Sequence, residues 1–232
     1  MPELPEVETV VRELSNEICG DSISSVEIFR SNPIVQGDLE TFQKQLNGRT
    51  FKQVTRRAKY LIFHLQPSGY MVAHMRMTGK FIVCNQIDVP SKYNRVWFHL
   101  NSGRLMIFDD VRCFGTLEVY EKLSDSKALS KLGIEPFSED LNVNYFKSKV
   151  ASSKREVKSI LLDQQIIAGL GNIYVSEILF RSKISPLRST DTIHNNEWSQ
   201  IIKYTQSVLE EAIENNGTTI SDFRRVDDKT GK

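Results

Sequence analysis

Apolar residues in this chain change their period part-way along, and that change limits the folds open to it. Between Ile23 and Glu121 they fall in short β-rich runs: SSVEIF, KYLIFHL, YMVAHMRM, KFIVC, RVWFHL, RLMIF and TLEVY. Turn residues at Pro67-Ser68-Gly69 and Ser102-Gly103 join neighbouring runs as hairpins. An antiparallel sandwich or barrel follows. A polar stretch, KLSDSKALSKLGIEPFSED, then interrupts the pattern and carries Gly133 and Pro136. Beyond it the apolar residues of VNYFKSKVA, EVKSILLDQ, NIYVSEILFRS and EWSQIIKYTQSVLEEAIEN recur every three or four positions, the spacing of buried helix faces. Asn216-Gly217 closes the last of them. The expected fold class is α+β with two domains: residues 1–131 as an antiparallel β-sandwich and residues 132–232 as a helical domain.

One helix precedes the β-rich part. Pro5 suits a first turn, Val7, Val10, Val11, Leu14 and Ile18 lie at helical spacing, and Gly20 stops the run. A chain of 232 residues, 40% hydrophobic, can bury a substantial core, so disorder is not expected. Its net charge of +1 conceals an uneven distribution. Residues 1–50 hold nine acids against four Lys/Arg. The stretch from Phe51 to Ile87 holds Lys52, Arg56, Arg57, Lys59, Arg76 and Lys80 with no acid, a candidate phosphate-facing surface. Cys19, Cys84 and Cys113 are odd in number and far apart, so they suggest a reducing compartment and no zinc site. The acidic N-terminus does not resemble a signal peptide, and no apolar run approaches the roughly 18 residues of a membrane span. A cytoplasmic monomer with no membrane partner is expected.

The residues that could carry chemistry start at Met1-Pro2-Glu3. Initiator methionine is removed before small residues, which would leave Pro2 with a terminal secondary amine. Such an α-amino group titrates near about 8, against about 10.4 for lysine, so part of it is neutral and nucleophilic at physiological pH. Attack on a sugar aldehyde carbon gives an iminium ion, an electron sink that acidifies the adjacent carbon and permits elimination of neighbouring phosphates. A following helix would hold this terminus in place, and Glu3 stands beside it as a candidate general acid and base. Taken alone, a Met-Pro start usually means nothing and Glu3 reads as a first-turn acid favoured by the helix dipole.

Five segments change that balance. PELPEVETV, RRAKYL at 56–61, HMRMTGK at 74–80, DDVRCFG at 109–115 and AGLGNIYVSEILF at 168–180 resemble, in order and almost end to end, the bacterial formamidopyrimidine-DNA glycosylase family. The opening and the GLGNIY segment are specific together. The resemblance implies a β-sandwich carrying the N-terminal helix, a helix-two-turns-helix domain, and double-stranded DNA with oxidised bases in the cleft between them. It implies Pro2 as nucleophile, Glu3 as general acid, and Lys59 as a phosphate contact that assists proton transfer. It implies eversion of the damaged nucleotide, with Met77, Arg112 and Phe114 filling the gap: apolar groups wedge a base step, and an arginine can bond the orphaned base. His74, Lys154, Lys158 and Asn172 are implied DNA contacts, the two lysines at helical spacing and Asn172 where a glycine-rich turn opens a helix. Thr218 and Thr219 match the start of a lesion-recognition loop.

The match has departures. Tyr93, in SKYNRV, stands where the family has a DNA-contacting histidine. Asn216 replaces a glycine, tolerable because Asn accepts left-handed geometry. The family's C-terminal zinc finger is expected to be absent, so no cofactor or metal is expected in this chain. The expected activity is excision of 8-oxoguanine and formamidopyrimidines with strand nicking by β,δ-elimination. Two alternatives are an endonuclease VIII-like enzyme acting on oxidised pyrimidines and a non-catalytic, truncated damaged-DNA-binding form.

Overall fold

The computed structural model describes residues 1–29, 34–85, 89–150 and 153–217. Helix α1 (Leu4–Ile18) opens the chain. Strand β1 (Ile23–Ile28) and the short helix α2 (Leu39–Leu46) follow. Seven more strands come next: β2 (Thr50–Arg57), β3 (Tyr60–Gln66), β4 (Tyr70–His74), β5 (Gly79–Asn85), β6 (Asn94–Leu100), β7 (Arg104–Asp110) and β8 (Thr116–Tyr120). They form two antiparallel sheets ordered β1-β6-β7-β5 and β2-β3-β4-β8. The hairpins expected at residues 67–69 and 102–103 join β3 to β4 and β6 to β7.

The inner faces meet through Phe51, Phe63, Phe81, Phe98 and Phe108, all buried. Phe63, Phe81 and Phe108 form a chain with ring centroids 5.3 and 5.0 Å apart, in the tilted arrangement that aromatic quadrupoles favour. Val7, Val10, Val11, Leu14 and Ile18 of α1 join this core, as their spacing requires.

The helical half contains α3 (Lys127–Ser130), α4 (Val143–Val150), α5 (Val157–Leu161), α6 (Asn172–Ser182) and α7 (Asn195–Glu214). It has its own core, in which Phe146 stacks on Trp198 at 4.6 Å and Ile178, Ile201 and Leu209 pack. Leu4, from the first turn of α1, belongs to this second core and not to the sandwich. One helix is therefore rooted in both halves. Asn216 has φ 60°, the left-handed geometry expected of it, and ends α7. No described helix is long and apolar enough to cross a membrane.

Candidate active site at the domain junction

The start of the chain is enclosed where the two halves meet. Pro2 is buried, Met1 is exposed, and the Leu4 N–H donates to the Gly169 carbonyl at 3.2 Å. Glu3 is only 3% exposed, and its carboxylate sits on the N-terminus of α6. The Ile173 N–H donates to Oε1 at 3.0 Å and the Tyr174 N–H to Oε2 at 3.5 Å. Those N–H groups have no partner within their helix, so a carboxylate there satisfies them and meets the positive end of the helix dipole. Gly171 is required by this approach: a Cβ at that position would lie 2.3 Å from Glu3 Cδ. Glu6 completes a ring, its Oε2 accepting from the Glu3 N–H at 2.9 Å and its Oε1 from the Tyr174 hydroxyl at 2.5 Å.

Lys59 faces the same place from the turn between β2 and β3, and it is 5% exposed. Burial pushes the Glu3 carboxyl above the usual carboxylate range; the bond from Ile173 and the Lys59 charge oppose that push without cancelling it. Burial also holds Lys59 below the ordinary lysine range, opposed by Glu3 and Glu6 and reinforced by Arg76. An acid that keeps its proton to higher pH and an amine that loses its proton more readily are a matched pair for proton transfer.

Two loops of the sandwich present the expected wedge residues. Met77, 41% exposed, lies between β4 and β5; Phe114, 53% exposed, follows β7 together with exposed Arg112. Arg112 covers the Phe114 ring at 4.7 Å, a cation–π contact. Fully buried Asp110 ties both loops down. It accepts from Thr78 Oγ1 at 2.5 Å, the Arg112 N–H at 3.1 Å and the Gly115 N–H at 2.8 Å. Arg76 and Cys113, with φ 52° and 57°, turn the backbone sharply beside these side chains. Half-buried Tyr93 adjoins the second loop, its carbonyl accepting from the Asp110 N–H at 3.0 Å.

Other expected residues are placed differently. His74 is buried, and its Nδ1 accepts from the Arg76 N–H at 2.9 Å. Burial, with Arg76 and Lys59 nearby, lowers its pKa to about 3, so the ring stays neutral and offers DNA no charge. Lys154 is exposed but lies before α5, so the expected helical pairing with Lys158 does not form: Arg155 and Glu156 intervene before the helix begins. Lys158 donates to Ser176 Oγ at 3.3 Å on the outer face of α6. Asn172 is exposed at the start of α6. Thr218 and Thr219 lie outside the described residues. Arg56 and Arg57, expected to face phosphate, are instead committed within the protein, bonding Glu135 at 2.8 and 2.5 Å. Glu135 and Tyr174 went unread in the sequence; the only signal for Glu135 was two adjacent arginines with no nearby acid.

A groove of about 750 Å³ opens between α6 and α7, and its walls include Ile173, Tyr174, Ala212 and Gly217. It therefore adjoins the residues that hold Glu3.

Residues 1–117 match the formamidopyrimidine-DNA glycosylase N-terminal domain, and residues 132–224 match the formamidopyrimidine-DNA glycosylase H2TH domain. A formamidopyrimidine-DNA glycosylase of Streptococcus pneumoniae is 40% identical, the alignment covering 100% of this chain and 89% of that protein. One from Mycoplasma genitalium is 37% identical, covering 100% and 82%. The Lactococcus lactis Fpg in complex with abasic-site DNA superposes with a TM-score of 0.91 at 34% identity, covering 100% of this chain and 85% of that one. A variant of the Lactococcus enzyme bound to Fapy-dG-containing DNA gives the same score, identity and coverage. With both domains matched and relatives aligned along its whole length, this chain belongs to the formamidopyrimidine-DNA glycosylase family of DNA-repair proteins.

Proposed function

We propose that the chain is a bifunctional glycosylase and abasic-site lyase that removes 8-oxoguanine and formamidopyrimidines from duplex DNA in the bacterial cytoplasm. Loss of Met1 frees the Pro2 nitrogen, which attacks C1′ of an everted nucleotide. The bond to the base breaks, its electron pair leaves with the base, and the proton shed by the Pro2 nitrogen neutralises the departing base. Glu3, protonated, gives its proton to the ring oxygen as the sugar opens to an iminium ion. The iminium acidifies C2′, so loss of a proton there expels the 3′ phosphate; a second elimination expels the 5′ phosphate, and water releases Pro2. Lys59 receives or relays protons in these eliminations and steadies a phosphate. Met77, Arg112 and Phe114 occupy the space the nucleotide leaves, Asn172, Lys154, Lys158 and Tyr93 line the DNA path, and buried His74 acts behind it by holding the Arg76 backbone beside Met77. The helical domain begins near residue 132 in this reading, supported by the separate cores and the family matches.

One observation carries the reading: the buried second residue is followed by Glu3, whose carboxylate is bound at the N-terminus of α6 and interacts with the charge of buried Lys59. The relatives' complexes with abasic-site and Fapy-dG DNA support the substrate class. The test is borohydride trapping on duplexes containing 8-oxoguanine, with intact mass establishing that Met1 is gone. A covalent adduct is expected, and Pro2→Glu, which retains the methionine, abolishes it. A protein that shifts DNA but never traps is a binder only, and preferential trapping on oxidised pyrimidines assigns it the other specificity.

A further inference from the structure

Glu135 lies in the segment between the two halves, far in sequence from the residues already assigned, yet it is built into the turn that ends at Lys59. Its Oε1 accepts from the Arg57 guanidinium at 2.5 Å and from the Ala58 N–H at 2.7 Å, and its Oε2 accepts from Arg56 at 2.8 Å. Ala58 has φ 53°, an uncommon conformation for a residue with a Cβ, so the turn is held in a shape that needs outside support. Arg56 also bonds Glu8 of α1 at 3.1 Å, and Arg57 reaches the Leu132 carbonyl at 3.3 Å. Burial pushes the Glu135 carboxyl up, but the arginines and the Ala58 N–H outweigh it and keep the group ionised.

The same segment reaches the other half of the site. Gly133 N–H donates to the Gln164 carbonyl at 2.8 Å, Ile134 N–H to Ile166 at 3.2 Å, and Ala168 N–H returns to Ile134 at 2.8 Å. This short pairing leads directly into the Gly169–Gly171 turn, whose last residue touches Glu3. The linker is thus bonded on one side to the backbone next to Lys59 and on the other to the turn that seats Glu3.

We infer that Glu135 is a positioning residue: it sets Lys59 against Glu3 and Pro2 and ties that placement to the relative position of the two halves. The inference rests on the elimination chemistry assigned to Lys59 above. Without the Glu135 charge, Arg57 loses its counter-charge, Arg56 keeps only Glu8, and an amide nitrogen replaces one of the two oxygens that accept beside the turn, so Lys59 no longer keeps one position.

The experiment compares wild type and Glu135→Gln on an abasic-site duplex under single turnover. It measures the borohydride-trapping rate, the DNA Kd, and the ratio of δ- to β-elimination product. That ratio does not depend on how much protein is folded, so a purely structural loss leaves it unchanged. Glu135→Gln is expected to lower the ratio at least threefold with Kd within twofold, and Lys59→Ala to lower it further. If Glu135→Gln does not fold, Arg57→Lys, which keeps a charge but loses the fork to Glu135 and Leu132, is expected to lower the ratio in the same sense. A wild-type ratio in the folded variant overturns the role of Glu135. An unchanged ratio in Lys59→Ala overturns the assignment of Lys59 itself, and absence of any wild-type adduct overturns the Schiff-base reading.

Discussion

The domain junction and the wedge loops solve opposite problems. At the junction, groups far apart in the chain are brought together: Glu3 bonds Ile173, 170 residues on, and Lys59 acts on Glu3 and Glu6. Glu3 and Lys59 are both buried there, which is what moves them from their ordinary titration ranges. The wedge loops leave Met77, Arg112 and Phe114 in solvent and are shaped by one buried residue, Asp110, that bonds its near neighbours and the adjacent loop. Proton chemistry requires exclusion of water, whereas insertion into a base step requires exposed apolar groups on a stiff base. The lesson is that the junction depends on how the halves meet, and the loops depend only on the sandwich.

Several changes probe that contrast, beginning with the most damaging. Gly171→Ala places a methyl group 2.3 Å from the Glu3 carboxyl carbon, so Glu3 must leave the α6 terminus. Iminium formation, read as the borohydride-trapping rate in single turnover, should fall by about a hundredfold or more, as expected if Glu3 is the displaced proton donor; an unchanged rate would mean the seat of Glu3 is irrelevant. Asp110→Asn leaves one oxygen and an amide facing three donors. It should cost about 2–3 kcal/mol in denaturant unfolding and weaken lesion-DNA binding, with Glu3 titration unaffected. Phe114→Ala should weaken binding about tenfold while stability stays within about 0.5 kcal/mol, because the ring is half exposed; a large loss of stability would assign it to the core instead. The smallest effects are opposed shifts in the pH at which iminium formation fails as Glu3 ionises. Glu6 raises the Glu3 pKa and Lys59 lowers it. Glu6→Gln therefore moves that limb to lower pH and Lys59→Met moves it to higher pH, and shifts of the same sign would refute the arrangement.

Much of the sandwich was readable because its strands are short, nearly continuous runs of β-branched, aromatic and other apolar residues, such as NRVWFHL and RLMIFDD. TLEVY is β8 residue for residue, and NIYVSEILFRS is α6. YMVAHMRM ran too long, since the His74 ring takes the Arg76 N–H and ends the strand before Met77. Strand β2 was missed because TFKQVTRR buries only Phe51 and Val54 fully; its arginines are satisfied by Glu8 and Glu135, and Glu135 lies 78 and 79 residues away. Helix α2 was missed although Asp38 caps it at 2.7 Å, because just Phe42 and Leu46 are buried. For the candidate site, Pro2, Glu3 and Lys59 were singled out through family resemblance, and the fold buries all three. That Glu3 would be seated on α6, and that Arg56 and Arg57 would turn inward, depends on contacts across the fold that no local spacing encodes.

The membership of α1 in two cores bears on how such proteins could be recombined. Along the sequence, a chimaera would be spliced in the linker near residue 131. The packing border lies elsewhere, inside α1 between Leu4 and Val7. A helical half transplanted at the linker would arrive with a vacancy shaped for the recipient's fourth residue. A good graft must therefore match that one leucine as well as the seam.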